Sequence, residues 1–298
     1  MTTAADIPGL TWRGNGQAAL SGDLLGLYRD LDLGFRVLAS RVSASEVEVP
    51  PLFPAAALQR IDYFASFPHL ATFACVHEDT PDNLADFAKA PWDEDRGALQ
   101  LGRLAPTADV LTPAACYHVY LDRIGQRLTG PVHVTLCARC FRREAYYQPL
   151  RRQWAFSMRE IVCLGTPDEV KAFLADHKGV MSTLAEKLGL KAEFAHATDP
   201  FFNPGRNGKY LMQVVDPVKE ELVFAGDLAI GSLNYHRSTF GEAFDISRDG
   251  EPVHTGCAAF GMERWLFALI ETHGLTDARA RVSAWLEEDQ PLGGEASL

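Results

Sequence analysis

Between Cys140 and Val162 the sequence reads CFRREAYYQPLRRQWAFSMREIV. Arg142 and Glu144 lie two apart, a spacing that puts both on one face of an extended strand. Arg152, Phe156 and Glu160 then recur at intervals of four. Guanidinium groups make bidentate bonds to phosphates, and an aromatic ring offers a flat platform to a base. Side chains on one face of a hairpin converge on one patch, so this run has the makings of a nucleotide site. A solvated hairpin with surface salt bridges, each worth about 0–1 kcal/mol, accounts for the same residues equally well. A second stretch, TGCAAFGMERW at 255–265, runs small strand residues into a helix whose first turn carries Arg264. Gly256 and Gly261 there permit close approach by a ligand or another backbone. The CARC of Cys137 to Cys140 has metal-ligand spacing, but a structural zinc knuckle needs a second pair. A regular strand would also turn Cys137 and Cys140 to opposite faces.

The elements that position these residues mix two periods. LLGLYRDLDLGFRVLASRV at 24–42 is helical in spacing, and SEVEVPPLFP alternates before stopping at Pro50 and Pro51. HLATFACVH reads as a strand, and a helix should start near Pro113. PVHVTLCARCFRRE alternates strongly, with WAFSMREIVCLG as its antiparallel partner. Thr166, Pro167 and Glu169 make a capping box for a helix to about Lys178, with a second piece to Leu188 before Gly189. KYLMQVVD, ELVFAGDLAIGSLNYH and HTGCAAFG read as strands; MERWLFALIETHG and TDARARVSAWLEED read as helices. The first twenty or so residues, rich in Gly and Ala, and the 290–298 tail are expected to be loosely held. With no repeat and no linker, residues 1–298 read as one α+β domain around an antiparallel sheet.

The chain has 298 residues, 47% of them hydrophobic, and a net charge of −11. Such an acidic surface argues against a broad nucleic-acid face. No apolar run approaches the roughly 20 residues of a membrane span, and the N-terminus lacks a secretory pattern. A cytoplasmic protein with six thiols rather than disulfides is the expectation.

Taken together, the two chemical segments resemble a known family. Arg142-x-Glu144, a loop and Arg152-x-x-x-Phe156 resemble motif 2 of the class II aminoacyl-tRNA synthetases. GCAAFGMER, with Arg264, looks like motif 3, and EVEVPP is compatible with the degenerate, dimer-forming motif 1. The likeness covers about Leu24 to Gly274. It implies the class II antiparallel sheet flanked by helices, and a homodimer. It also implies that Arg142 grips the α-phosphate of ATP and that Glu144 holds the adenine amino group or the substrate. Phe156 and Arg264 would sandwich the adenine, with Arg264 also reaching the γ-phosphate; Arg142 and Arg264 are the catalytic pair. Arg151, Arg152, Lys219 and Ser232 would complete the ATP site, with Mg²⁺. The family's acidic magnesium ligand has no clear counterpart: Asp227 is slightly out of register, and Leu228 stands nearer the expected place.

Within the family, Cys116, Glu160 and Cys257 look like the metal site of archaeal-type, zinc-dependent seryl-tRNA synthetases, where zinc binds the amino group of the amino acid. Two thiolates and a carboxylate leave a fourth position open. Two buried free cysteines and an unrelated Glu are the plain alternative. Glu160 and Asn234 would line the amino-acid pocket. Those synthetases carry a large N-terminal tRNA-binding domain, whereas only about twenty residues precede motif 1 here. The chain therefore looks like the stand-alone amino acid–[carrier protein] ligases. That resemblance implies ATP-dependent activation of a small amino acid, glycine or alanine, and transfer to the phosphopantetheine thiol of a carrier protein. It implies no tRNA and no membrane partner. A minimal tRNA synthetase and a non-catalytic regulatory paralogue are the alternatives. The helical segment at 166–190, an insertion after motif 2, is either a carrier-docking surface or plain packing.

Overall fold

The computed structural model describes residues 7–206 and 208–289. The 290–298 tail and the first six residues lie outside the described residues. Among those described, the framework is a seven-stranded sheet. Its strands, in chain order, are β1 (Ser45–Glu46), β2 (Val132–Phe141), β3 (Ala155–Gly165), β4 (Ala192–His196), β5 (Lys219–Phe224), β6 (Leu228–Arg237) and β7 (His254–Gly261). The spatial order is β4-β5-β6-β7-β3-β2-β1. Every neighbouring pair is antiparallel except β1 with β2.

Strand alternation divides the side chains between two faces. One face is dry. Ile161, Cys163, Leu222, Leu233, Ala258 and Phe260 meet three helices there: α1 (Gly22–Ser40), α3 (Pro167–Lys187) and α6 (Met262–Asp289, kinked at Gly274). The close fit of α1 against α6 depends on Gly34, where a Cβ would fall 2.1 Å from the Trp285 ring. The other face is covered by short pieces: α2 (Tyr117–Leu121), α4 (Gly208–Val215), α5 (Thr239–Ala243) and the loops around Phe53 and Tyr63.

The alternating strand pair β2–β3 and the Thr166 capping box are as expected, with Glu169 N–H bonded to Thr166 and the Thr166 N–H bonded to Glu169. Other expectations need correction. KYLMQVVD is the helix α4, not a strand. HLATFACVH contributes only isolated bridges, at Phe73 and His77. The helix expected near Pro113 begins at Tyr117. The 167–187 helix is one continuous element, and Val170, Phe173, His177, Met181 and Leu184 pack its inner face into the core. The N-terminal region is not loose where described. Leu10–Arg13 and Gln17–Leu20 form a hairpin, and the Gly16 carbonyl accepts the Trp154 N–H at 2.8 Å.

Candidate active site

Sheet register assembles the site. Lys219 of β5 lies opposite Asn234 of β6, which lies opposite Cys257 of β7. The next row reads Glu221, Ser232, Ala259 and Glu160 across β5, β6, β7 and β3. Directly opposed residues share a face, so both rows point into one cavity of about 930 Å³. Arg142, Glu144, Arg151, Arg152, Phe156 and Arg264 line its other end. Cys116 enters from the far side, at the start of α2. The segment before α2 is tied to the sheet by Phe141 N–H donating to the Thr112 carbonyl at 2.8 Å. Every site residue read from the sequence therefore lines this one cavity.

The arginine end is held by its own contacts. β2 stops at Phe141, so Arg142 and Glu144 lie in the loop beyond it rather than on a strand face. Arg142 is steered instead by Nε donating to the Pro113 carbonyl at 3.0 Å, with its guanidinium 5.2 Å from the Phe156 centroid. Arg152 binds Glu144 at 2.5 Å and lies over the Tyr146 ring. Arg264 donates to the carbonyls of Arg151 and Ala229 at 2.9 and 2.8 Å. Burial, and then the charge of Arg142, hold the Arg264 guanidinium below its ordinary pKa. Lys219 is clasped by Asp199 at 2.9 Å and Glu221 at 3.2 Å. Asp227 is turned away into a salt bridge with Arg151 at 2.7 Å, and Leu228 packs in the dry core. Neither lines the cavity.

The cysteine end is buried. Cys116, Cys257 and Glu160 are each no more than 5% exposed. Their side chains hydrogen-bond mutually, which, with burial, raises the Cys116 thiol well above its ordinary pKa. Burial raises the Glu160 carboxyl, against the pull of its bonds to both cysteines. For Cys257 the bond from Cys116 lowers the pKa, but burial and Glu160 outweigh it. Glu160 Oε2 is buried with no hydrogen-bond partner. Asn234 Nδ2 reaches both Ser232 Oγ at 3.0 Å and Cys257 Sγ at 3.4 Å. Two thiols and an orphaned carboxylate oxygen around one point fit a soft divalent ion such as zinc.

One neighbour was missed from the sequence. Donor atoms of Cys116, Cys257 and His236 lie within 4.8 Å of one another. The signal was present: in NYH, Asn234 and His236 are two apart and share a strand face. Burial drives the His236 imidazole down to about 4. Cys137 and Cys140 stay out of the cavity and on opposite faces of β2. Cys137 packs beside Tyr28 on the dry face, and Cys140 is buried on the other. Gly256 serves a different contact from the ligand approach that sequence suggested, since a Cβ there would strike Val170 of α3 at 2.8 Å.

Residues 106–273 match the family model of the tRNA synthetase class II core domain (G, H, P, S and T). Amino acid–[acyl-carrier-protein] ligase 1 of Bradyrhizobium diazoefficiens is 37% identical over 244 residues, 79% of this chain and 72% of that protein. The chain belongs to this ligase family, on a class II synthetase core. Ligase 2 of the same organism is 34% identical, covering 83% of this chain and 76% of its own. The type-2 serine–tRNA ligase of Methanopyrus kandleri is 26% identical over 76% of this chain and 47% of the synthetase. The fold agrees: the ligase chain superposes with a TM-score of 0.76 on the M. kandleri SerRS bound to A. aeolicus tRNASec, at 19% identity. It covers 58% of that structure's chain. Among the described residues no helix is long and apolar enough to cross a membrane.

Proposed function

We propose that the cavity activates a small amino acid, glycine or alanine, with ATP and Mg²⁺, and passes it to a carrier protein. The observation that carries this reading is one cavity with a cationic, aromatic end and a buried thiol–carboxylate end. The relatives named as amino acid–[acyl-carrier-protein] ligases support it.

In the first step the amino acid carboxylate attacks the α-phosphorus of ATP, and pyrophosphate leaves. Arg142 neutralises charge on the α-phosphate, and Arg264 does so on the leaving phosphates. Phe156 supports the adenine, and Glu144, once parted from Arg152, accepts from its amino group. Arg151, Arg152, Lys219 and Ser232 complete the nucleotide's surroundings. Rate comes here from positioning and charge stabilisation, so no protein nucleophile is needed. Cys116, Glu160 and Cys257 would hold zinc, which when bound offers a Lewis-acid position for the substrate amine. Glu160 and Asn234 close the space around the α-carbon, which limits the side chain to a small one. In the second step the phosphopantetheine thiol attacks the acyl carbon, a thioester forms and AMP leaves. We further read residues 1–298 as one catalytic domain acting as a cytoplasmic homodimer.

Amino-acid-dependent pyrophosphate exchange with glycine, alanine and serine tests the first step; exchange with none of them defeats the reading. Charging of a phosphopantetheinylated carrier beside bulk tRNA tests the second. A product on tRNA alone would favour a synthetase instead.

A further inference from the structure

The cysteine end holds one side chain that the reaction above does not use. His236 projects into it from β6, two residues beyond Asn234. Its ring is fixed on three sides. Nδ1 lies 3.1 Å from Thr255 Oγ1 and 3.3 Å from the Tyr120 hydroxyl, both on fully buried residues. The Phe240 ring meets it edge-on, with centroids 5.0 Å apart. Nε2 is thereby aimed at Cys257 Sγ, 4.0 Å away.

This is how an imidazole is set up to bind a metal. One ring nitrogen is anchored by hydrogen bonds, which fixes the tautomer and leaves the other nitrogen's lone pair free. A zinc ion about 2.3 Å from a thiolate and about 2.0 Å from an imidazole bridges sulfur and nitrogen up to roughly 4.3 Å apart. The observed separation is inside that reach. Glu160 hydrogen-bonds to both thiols and keeps one oxygen unpartnered. Two sulfurs, one oxygen and one nitrogen thus surround a single point.

We propose that His236 Nε2 is a fourth protein ligand of the zinc ion in the resting enzyme. The inference rests on the zinc reading given under the proposed function, and it changes what the resting site looks like: the shell is closed by protein rather than open to water. The free amine of the substrate then takes the imidazole's place. One dative bond to Nε2 breaks, one from the amine nitrogen forms, and Cys116, Glu160 and Cys257 remain bound.

The test uses the metal alone. X-ray absorption on the zinc-loaded wild-type protein, without amino acid, should show two sulfur and two light scatterers, with the outer-shell pattern of one imidazole. Adding glycine should remove that pattern while both sulfurs stay. Titration with Zn²⁺ or Co²⁺ should show His236→Ala and His236→Gln binding the metal about 10- to 100-fold more weakly than wild type, with a shifted cobalt visible band and both thiolate bands retained. A wild-type shell without imidazole overturns the proposal, and so does a His236→Gln variant with unchanged affinity and spectrum. Failure of the underlying zinc reading looks different. In that case wild-type protein takes up no zinc, or Cys116→Ala binds it as tightly as wild type does.

Discussion

Two pairs of cysteines make the most instructive contrast in this chain. Cys137 and Cys140 stand in a C-x-x-C, the spacing that first suggests a metal, yet a regular β2 sends them to opposite faces of the sheet. Cys116 and Cys257 are remote in sequence, yet they meet with Glu160 and His236 in one buried cluster. On a strand the side-chain period is two, so a spacing of three separates what it would join on a turn. Proximity in sequence is informative about a site only once the element carrying it is known.

The largest expected effect tests that contrast directly. Cys116→Ala and Cys257→Ala should each lose zinc and reduce adenylate formation by more than about a hundredfold, while Cys137→Ala keeps both. Metal analysis and pyrophosphate exchange on the same preparations check it, and zinc retained in the first two variants would break the comparison.

The second experiment separates the two ends of the cavity. Arg142→Ala should lower pyrophosphate exchange about 10²- to 10³-fold and leave zinc content unchanged. If zinc were lost with Arg142, the cavity would not have two independent ends.

A third asks what the C-x-x-C cysteine does instead. Cys140 is fully buried among Val134, Leu136 and Ala138. Cys140→Ser therefore puts a hydroxyl into an apolar site and should destabilise the fold by about 1–3 kcal/mol. Urea unfolding measures it, with zinc content as the control that should not move.

The smallest effect lies outside both cysteine pairs. Glu169 is held below its ordinary pKa, first by Arg248 and then by the Thr166 backbone N–H. Its contribution is present above the pKa of an unfolded glutamate and is lost as pH falls through the lower folded value. Glu169→Gln should therefore melt about a degree below wild type at pH 7, and the gap should close by roughly pH 3. A gap that widens in acid would reverse the assignment.

Much of the site was legible because its signals are local. The alternation of β2 and β3, the capping box at Thr166 and the strand-to-helix passage into Arg264 each depend on a few neighbouring residues. α4 was misread for an equally physical reason. KYLMQVVD is a short apolar run with two valines, and such runs do not reveal their period. In the fold it is a helix whose Leu211, Met212, Val214 and Val215 stay exposed, so burial did not mark a face either.

By itself the sequence determined which chemistry the protein carries: two arginines and a phenylalanine matched to a nucleotide, thiols and a carboxylate matched to a soft metal, and strands whose period of two assigns each to a face. Only the tertiary structure decided which of these meet. Cross-strand register put Lys219, Asn234 and Cys257 in one row, brought Glu160 to both thiols, and placed His236 beside them. Register arises from pairing between distant segments, and no window of neighbouring residues contains it.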